Sequence, residues 1–96
     1  MLIVAAYDVD VTAEDGAKRL RRVAKICEKW GMRVQNSVFE LLVDQTEFIK
    51  LKAALEKTID RDKDSIRFYR IGNNYEGRIT QIGRSPRVEQ GKELIL

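Results

Sequence analysis

The chain has 96 residues, of which 44% are hydrophobic and 34% charged, a composition typical of one small globular domain and not of a disordered chain. Its 18 basic and 15 acidic side chains give a net charge of +3, and its single cysteine excludes both an internal disulfide and a multi-cysteine zinc site. The absence of histidine excludes Ser-His-Asp and Cys-His catalysis. Any catalysis must therefore use carboxylates, hydroxyls, Lys, Arg or a bound metal ion.

The first third of the chain predicts a strand followed by a helix. Residues 2–7 are a continuous apolar run, which is typical of a central strand buried on both faces. Thr12 and Asp15 resemble a helix capping box, and apolar residues then recur at helical spacing. We therefore expect a first helix over residues 13–30, with Gly31 as its C-cap.

The middle of the chain predicts two strands, a helix and a further strand. Residues 33–43 are rich in strand formers, and a turn near their centre divides them into two strands. Asp44 and Glu47 form a second capping-box pattern before a helix over residues 45–59. The alternation in residues 65–71 predicts another strand.

The resulting order, β-α-β-β-α-β, is that of an α+β, ferredoxin-like domain. We expect this single domain to span residues 1–82, with an extra final strand near 78–82 and a C-terminal tail over 83–96. The final strand has no edge to pair with in its own chain, and the first strand is apolar on both faces, so we expect a symmetric homodimer. Because the apolar run is far shorter than the ~20 residues of a membrane-spanning helix, we expect a cytoplasmic protein without a membrane segment.

The basic charge is concentrated in two parts of the chain. Residues 14–33 carry seven basic and three acidic side chains, and residues 67–87 carry five arginines and one acid, whereas residues 34–66 are net negative. Such stripes are typical of proteins that bind a phosphate backbone, although a solvated helix face is the alternative. No base-reading motif is present, so we expect any nucleic-acid binding to be directed at shape and backbone.

Asp8 follows the first strand directly and is the candidate for metal binding. Alternation along the strand places it on the same face as Leu2, Val4 and Ala6. If that face meets a second copy, two Asp8 carboxylates would approach each other and hold Mg²⁺, which activates water against a phosphodiester without histidine. The alternative is that Asp8 is a turn residue, which the residues alone favour.

Three segments together resemble a known family. They are a strand that ends in Tyr-Asp at residues 7–8, an arginine-rich helix that ends in Trp-Gly at 30–31, and the string RVQNSVFE at 33–40. This pattern resembles the CRISPR-associated endonuclease family of the spacer-acquisition machinery. Members of this family are the small dimeric subunit of that machinery, its second core protein. The likeness covers essentially the whole chain, and residues 69–75 resemble the subtype I-C branch.

The resemblance implies a ferredoxin-like homodimer in which the last strand, residues 78–82, pairs with the sheet of the partner. It also implies that Asp8 is catalytic and that Asp8 from both protomers holds Mg²⁺. Six further residues match positions that the family associates with the interface cleft or with nucleic-acid contact: Tyr7, Arg19, Arg22, Arg33, Ser37 and Phe39.

Two functions follow from the resemblance, which does not choose between them. The first is a Mg²⁺-dependent endonuclease that acts on double-stranded DNA or RNA during spacer acquisition. The second is a non-catalytic scaffold that binds double-stranded DNA and bridges copies of the CRISPR integrase subunit. A ferredoxin-like regulatory module for small molecules is a third and remote alternative.

Overall fold

The computed structural model describes residues 1–84 and forms a four-stranded sheet with two helices. The elements are β1 (Leu2–Asp8), α1 (Gly16–Trp30), β2 (Gly31–Gln35), β3 (Val38–Leu42), α2 (Gln45–Thr58) and β4 (Ser65–Gly72). The strands are ordered β2-β3-β1-β4, and all neighbours are antiparallel. This confirms the predicted α+β, ferredoxin-like class.

The core lies between the two helices and one face of the sheet. In β1, Ile3, Ala5 and Tyr7 face this core, where they meet side chains from both helices. Ala5 pairs with Phe39 of β3 on one side and with Phe68 of β4 on the other, so β3, β1 and β4 supply the same apolar layer. The period of two along the strands places every second residue in that layer.

The opposite face of the sheet carries no helix within residues 1–84. Val4 and Ala6 lie there half-buried, and Leu42 and Tyr69 expose 56% and 47% of their surface on the same side. We call this surface the open face. Single exposed apolar residues are common on protein surfaces, so the expectation of a second copy against this face stays a prediction.

The start of α1 differs from the sequence prediction, and the Thr12–Asp15 capping box is wrong. The Asp10 carboxylate instead accepts hydrogen bonds from the Thr12 backbone at 3.0 Å and from its hydroxyl at 2.6 Å. Asp15 adopts a left-handed backbone with φ of 63° and makes no side-chain cap. Because this local turn uses Thr12, the helix starts three residues later than predicted, at Gly16.

The second capping box is confirmed. The Glu47 amide donates to the Asp44 carboxylate at 2.7 Å, and the Asp44 amide donates to the Glu47 carboxylate at 2.9 Å. Helix α2 ends at Thr58, one residue before the predicted end. At the other helix, the Gly31 amide donates to the carbonyl of Cys27 as expected of a C-cap, but its extended backbone starts β2 at once.

Residues 78–82 form no strand within this chain, and Ile82 is 91% exposed. The prediction of a final strand depends on an edge supplied by a second copy, because a lone segment cannot form a ladder, so it stays a prediction. The predicted tail also stays a prediction, since residues 85–96 lie outside the described part of the chain. Across residues 1–84, neither helix has the length and apolar character to cross a membrane.

Candidate nucleic-acid interface

Asp8 is the last residue of β1 and lies at one end of the open face. It pairs in register with Ser65 of β4, and its side chain is exposed. The predicted face is confirmed, since Tyr7 points into the core and Asp8 therefore points away from it with Val4 and Ala6. Within residues 1–84 its carboxylate has no hydrogen-bond or ion-pair partner.

A single chain does not offer a complete metal site at Asp8. In the described 84 residues, no cluster of three or more acidic or thiol side chains is arranged to hold a metal ion. Asp10 is engaged by Thr12, which leaves Asp8 as the free carboxylate at this end of β1. Mg²⁺ in proteins usually binds one or two carboxylates together with waters and substrate phosphates. Asp8 therefore fits such a site as one ligand of a shared set.

Arg19 is not part of an exposed cleft, contrary to the role that the resemblance implies. Its side chain is buried, and its Nε atom lies 2.7 Å from the Asp64 carboxylate. Its Nη1 atom donates to the Glu14 carbonyl at 2.9 Å, and its Nη2 atom donates to the Asp10 carbonyl at 3.4 Å and to Asp64 Oδ1 at 3.3 Å. A guanidinium whose donors are occupied inside the protein has a structural role.

Tyr7 and Phe39 lie on the core side of the sheet and support Arg33. Their rings stack with centroids 6.1 Å apart, and Phe39 is fully buried, so it is not available to stack on a nucleic-acid base. The Arg33 guanidinium lies 5.3 Å from the centroid of the Phe39 ring, within the range of a cation–π contact. Burial raises the pKa of the Tyr7 hydroxyl, while the charge of Arg33 acts in the opposite direction.

Ser37 lies in the turn between β2 and β3 and is half-buried. Its backbone carbonyl accepts a hydrogen bond from the Tyr7 amide at 3.0 Å. The contact extends the ladder between β1 and β3. The structure therefore gives Ser37 a backbone role in aligning the strand that ends in Asp8.

Arg22 and Arg33 lie together, with other basic side chains, along the surface where α1 meets β2. We call this surface the basic groove, and it is lined by Lys18, Arg21, Arg22, Ala24, Lys25, Glu28 and Arg33. Five of its side chains are positive and one is negative. Among the candidate residues, sequence analysis missed Lys18, Arg21 and Lys25. Their spacing of three and four residues, which places them on one face of a helix, was the signal that could have found them.

The basic groove and Asp8 lie on different sides of the sheet. Arg33 pairs with Phe39 and is thus level with Ala5, three residues before Asp8 and two strands away. With about 3.4 Å per residue and about 4.8 Å per strand, the two Cα atoms are about 14 Å apart. Within one chain, the groove and Asp8 therefore cannot contact the same phosphate.

Comparisons with known proteins agree with one family. The family model described as CRISPR-associated protein Cas2 matches residues 1–79. A protein of Halalkalibacterium halodurans named CRISPR-associated endonuclease Cas2 is 48% identical over 99% of each chain. A CRISPR-associated endoribonuclease Cas2 of Rhodospirillum rubrum is 45% identical over 99% of this chain and all of its own. The crystal structure of Streptococcus pyogenes Cas2 at pH 6.5 superposes with a TM-score of 0.77 at 47% identity, and covers 86% of this chain and 100% of that one.

Proposed function

This chain belongs to the CRISPR-associated Cas2 family, and from that premise we propose that it is a homodimeric, Mg²⁺-dependent endonuclease that acts on double-stranded DNA or RNA during spacer acquisition. Relatives that are more than 40% identical over nearly the whole chain carry the names endonuclease and endoribonuclease. In this proposed function the protein would act in the cytoplasm.

The observation that carries this proposal is the position of Asp8. Its carboxylate is exposed and has no partner in residues 1–84, and it lies at the end of a face whose apolar residues are only half covered. Two copies that join their open faces about a twofold axis bring two such carboxylates to one interface. Asp8 from both protomers would hold Mg²⁺, which supplies Lewis-acid stabilisation and an activated water for phosphodiester cleavage.

The other residues of the proposed site bind and orient the substrate. The basic groove attracts a phosphate backbone through five cations, and Arg22 and Arg33 offer planar forks that suit phosphate oxygens. Tyr7 and Phe39 keep Arg33 at the edge of the sheet, and the Ser37 carbonyl keeps β1 in register. These contacts hold nucleic acid without reading its sequence.

A non-catalytic scaffold that bridges the CRISPR integrase subunit is a second candidate function. The observation that favours it is the separation of Asp8 from the basic groove, which lies across the sheet from it. A protein that binds a duplex along such a groove has no need of a carboxylate at the bound phosphates. In this second function the partners are double-stranded DNA and the integrase, and Asp8 has no catalytic role.

Cleavage of linear double-stranded DNA and of RNA by the purified protein tests the proposal. We expect cleavage with Mg²⁺ and none with EDTA, and a loss of about 100-fold or more in Asp8→Asn and Asp8→Ala with nucleic-acid binding retained. Asp62→Asn, an exposed acid in the loop before β4, is the matched control and should cleave like wild type. Equal cleavage by all variants would rule out the Asp8 mechanism. No cleavage together with retained binding of DNA and integrase would favour the scaffold.

Binding and assembly are measured separately. Size-exclusion chromatography with light scattering should give the mass of a dimer for wild type. Leu42→Glu, on the open face, should shift the measured mass to that of the monomer. Arg22→Gln combined with Arg33→Gln should weaken DNA binding and lower the slope of log K against log salt by about 0.9 per lost phosphate contact. Lys57→Gln combined with Arg61→Gln, both outside the groove, removes the same two charges and is the control. If the protein does not bind DNA even at low salt, the third alternative, a regulatory module for small molecules, is favoured.

A further inference from the structure

Glu28 is the one acidic side chain among the residues that line the basic groove. It lies in the last turn of α1, where the partial negative charge of the helix end disfavours a carboxylate and favours a cation such as Lys29. Its side chain is 60% exposed and buries little apolar surface. Neither helix stability nor core packing therefore accounts for an acid at this position.

The Glu28 carboxylate has a specific partner, Arg33. The two side chains form an ion pair at 3.7 Å, and no ion pair joins Glu28 to Lys25, one turn earlier, within the described part of the chain. The distance is longer than that of a good charge-assisted hydrogen bond, and both groups are partly exposed, so the pair is easily exchanged.

Arg33 is already oriented by the fold. Its guanidinium lies over the Phe39 ring, and its side chain remains 45% exposed toward the groove. An anion that approaches Arg33 must share it with Glu28 or replace Glu28. The carboxylate also repels an incoming phosphate directly, because both are negative.

We propose that Glu28 is a built-in competitor for phosphate: it pairs with Arg33 in the free protein and is displaced when a phosphodiester backbone enters the basic groove. This inference rests on the proposed function, in which the groove binds nucleic acid. A single phosphate or a mononucleotide gains little by displacing Glu28. A long backbone also reaches Lys18, Arg21 and Arg22, which offsets the displacement. The displacement weakens every anion that uses Arg33 by the same factor, so a small phosphate, with few other contacts, no longer fills the groove at concentrations at which an extended backbone such as a duplex still does.

Fluorescence anisotropy with a labelled short DNA duplex tests this inference. EDTA in the buffer removes any contribution of a metal ion at Asp8. We expect Glu28→Gln to bind the duplex about two- to fivefold more tightly than wild type at low salt, the range given by the loss of one exposed ion pair. The slope of its log K against log salt should stay close to that of wild type, because Arg33 contacts the phosphate backbone in both complexes.

The matched control is Glu56→Gln, which removes a partly exposed, ion-paired carboxylate on α2, away from the groove. An equal gain in this control would mean that only net charge matters, and would overturn the inference. In the Arg33→Gln background the gain from Glu28→Gln should vanish. A gain that persists there would also overturn it, because Glu28 would then act without Arg33.

Pyrophosphate provides the second measurement. Its Ki, from competition against the labelled duplex, should fall in Glu28→Gln by about the same factor as the Kd of the duplex, because both anions displace Glu28 from Arg33. An unchanged Ki beside a tighter duplex would contradict the competition at Arg33. If Arg22→Gln with Arg33→Gln weakens binding but Glu28→Gln has no effect, this inference alone fails. If wild type does not bind DNA at low salt, the proposed function fails as well.

Discussion

The guanidinium of Arg19 and the carboxylate of Asp64 meet inside the protein with an Nε–Oδ2 distance of 2.7 Å, although 45 positions separate them in the chain. The same carboxylate accepts hydrogen bonds from the backbone amides of Asp10 and Asp60 at 3.0 and 2.9 Å. One buried side chain thus joins α1, the loop after β1 and the loop before β4. The pair fixes the backbone two residues beyond Asp8.

Loss of the Asp64 carboxylate should strongly destabilise the fold. Asp64→Ala leaves Arg19 buried without its counterion and leaves two backbone amides without an acceptor. Breaking a buried pair in this way costs about 3–5 kcal/mol of unfolding free energy. Urea denaturation measures this loss of unfolding free energy. The control is Asp62→Ala, an exposed residue of the same loop, whose unfolding free energy should lie within about 0.5 kcal/mol of wild type. An Asp64→Ala variant as stable as this control would contradict the structural role.

The same pair makes stability depend on pH in the acid range. Hydrogen bonding from Arg19 is the main cause that lowers the pKa of Asp64 from 3.8 to about 2. Because the pKa is lower in the folded state, the unfolded chain binds the proton more readily below about pH 4. The contribution of Asp64 is therefore complete above pH 4 and is lost as the pH falls toward 2. Urea denaturation at several pH values should show that the unfolding free energy declines less between pH 4 and 2 for Asp64→Asn than for wild type. Equal declines in the two proteins would contradict this contribution of Asp64.

Local patterns predicted most of the fold, and contacts distant in sequence account for what they missed. The strand β1 and the box at Asp44 depend on neighbouring residues, so the sequence alone predicts them. The start of α1 depends on a turn around Asp10, which competes with the expected cap. The charges of α1 taken alone do not show which arginine faces inward, because that depends on where each lies relative to the apolar stripe of the helix.

The candidate site divides in the same way. Alternation along a strand predicted the face of Asp8. Arg19 was placed in the nucleic-acid cleft with the other helix arginines, yet it lies four residues before Val23 and eight before Cys27, on the buried stripe of α1. Its burial depends on Asp64, and no local feature of the sequence marks that partner. The basic groove could not be predicted from the sequence either, because Arg33 lies on the strand that follows the helix, and its position beside the helix cations depends on how β2 packs.

Gly31 should tolerate no side chain. A Cβ atom added there would overlap the Glu40 carbonyl oxygen and lie 2.8 Å from the Cα atom of Leu41. Both are backbone atoms of β3, so Gly31→Ala must push apart the strands β2 and β3, and we expect a loss of about 1–3 kcal/mol. The control is Gly77→Asn, at a turn with φ of 79° and open space around it, where Asn fits the left-handed backbone. Equal denaturation midpoints for both variants would contradict the close approach of the strands.

Cys27 should be unreactive until the protein unfolds. It is fully buried in the core, and burial raises its thiol pKa to about 11, so only about one molecule in a thousand carries the thiolate at pH 8. A thiol reagent such as DTNB should therefore label native protein far more slowly than protein in guanidinium chloride. Since Cys27 is the single cysteine, the labelling rate also reports global opening. Rapid labelling of native protein would place this part of α1 outside the core.

The Tyr7 hydroxyl should be dispensable for cleavage and for DNA binding, although the resemblance associates this residue with the functional cleft. The Tyr7 ring is buried against Phe39 on the core side, and its hydroxyl has no hydrogen-bond partner within residues 1–84. Tyr7→Phe keeps the ring and should leave both activities unchanged. Tyr7→Ala removes it and should cost about 3–5 kcal/mol of unfolding free energy, as expected for a buried aromatic side chain. Cleavage assays, anisotropy and urea denaturation on the same preparations separate these effects. A loss of cleavage in Tyr7→Phe at unchanged stability would show that the hydroxyl contacts the substrate, and would move the catalytic surface around the end of β1 toward the core side.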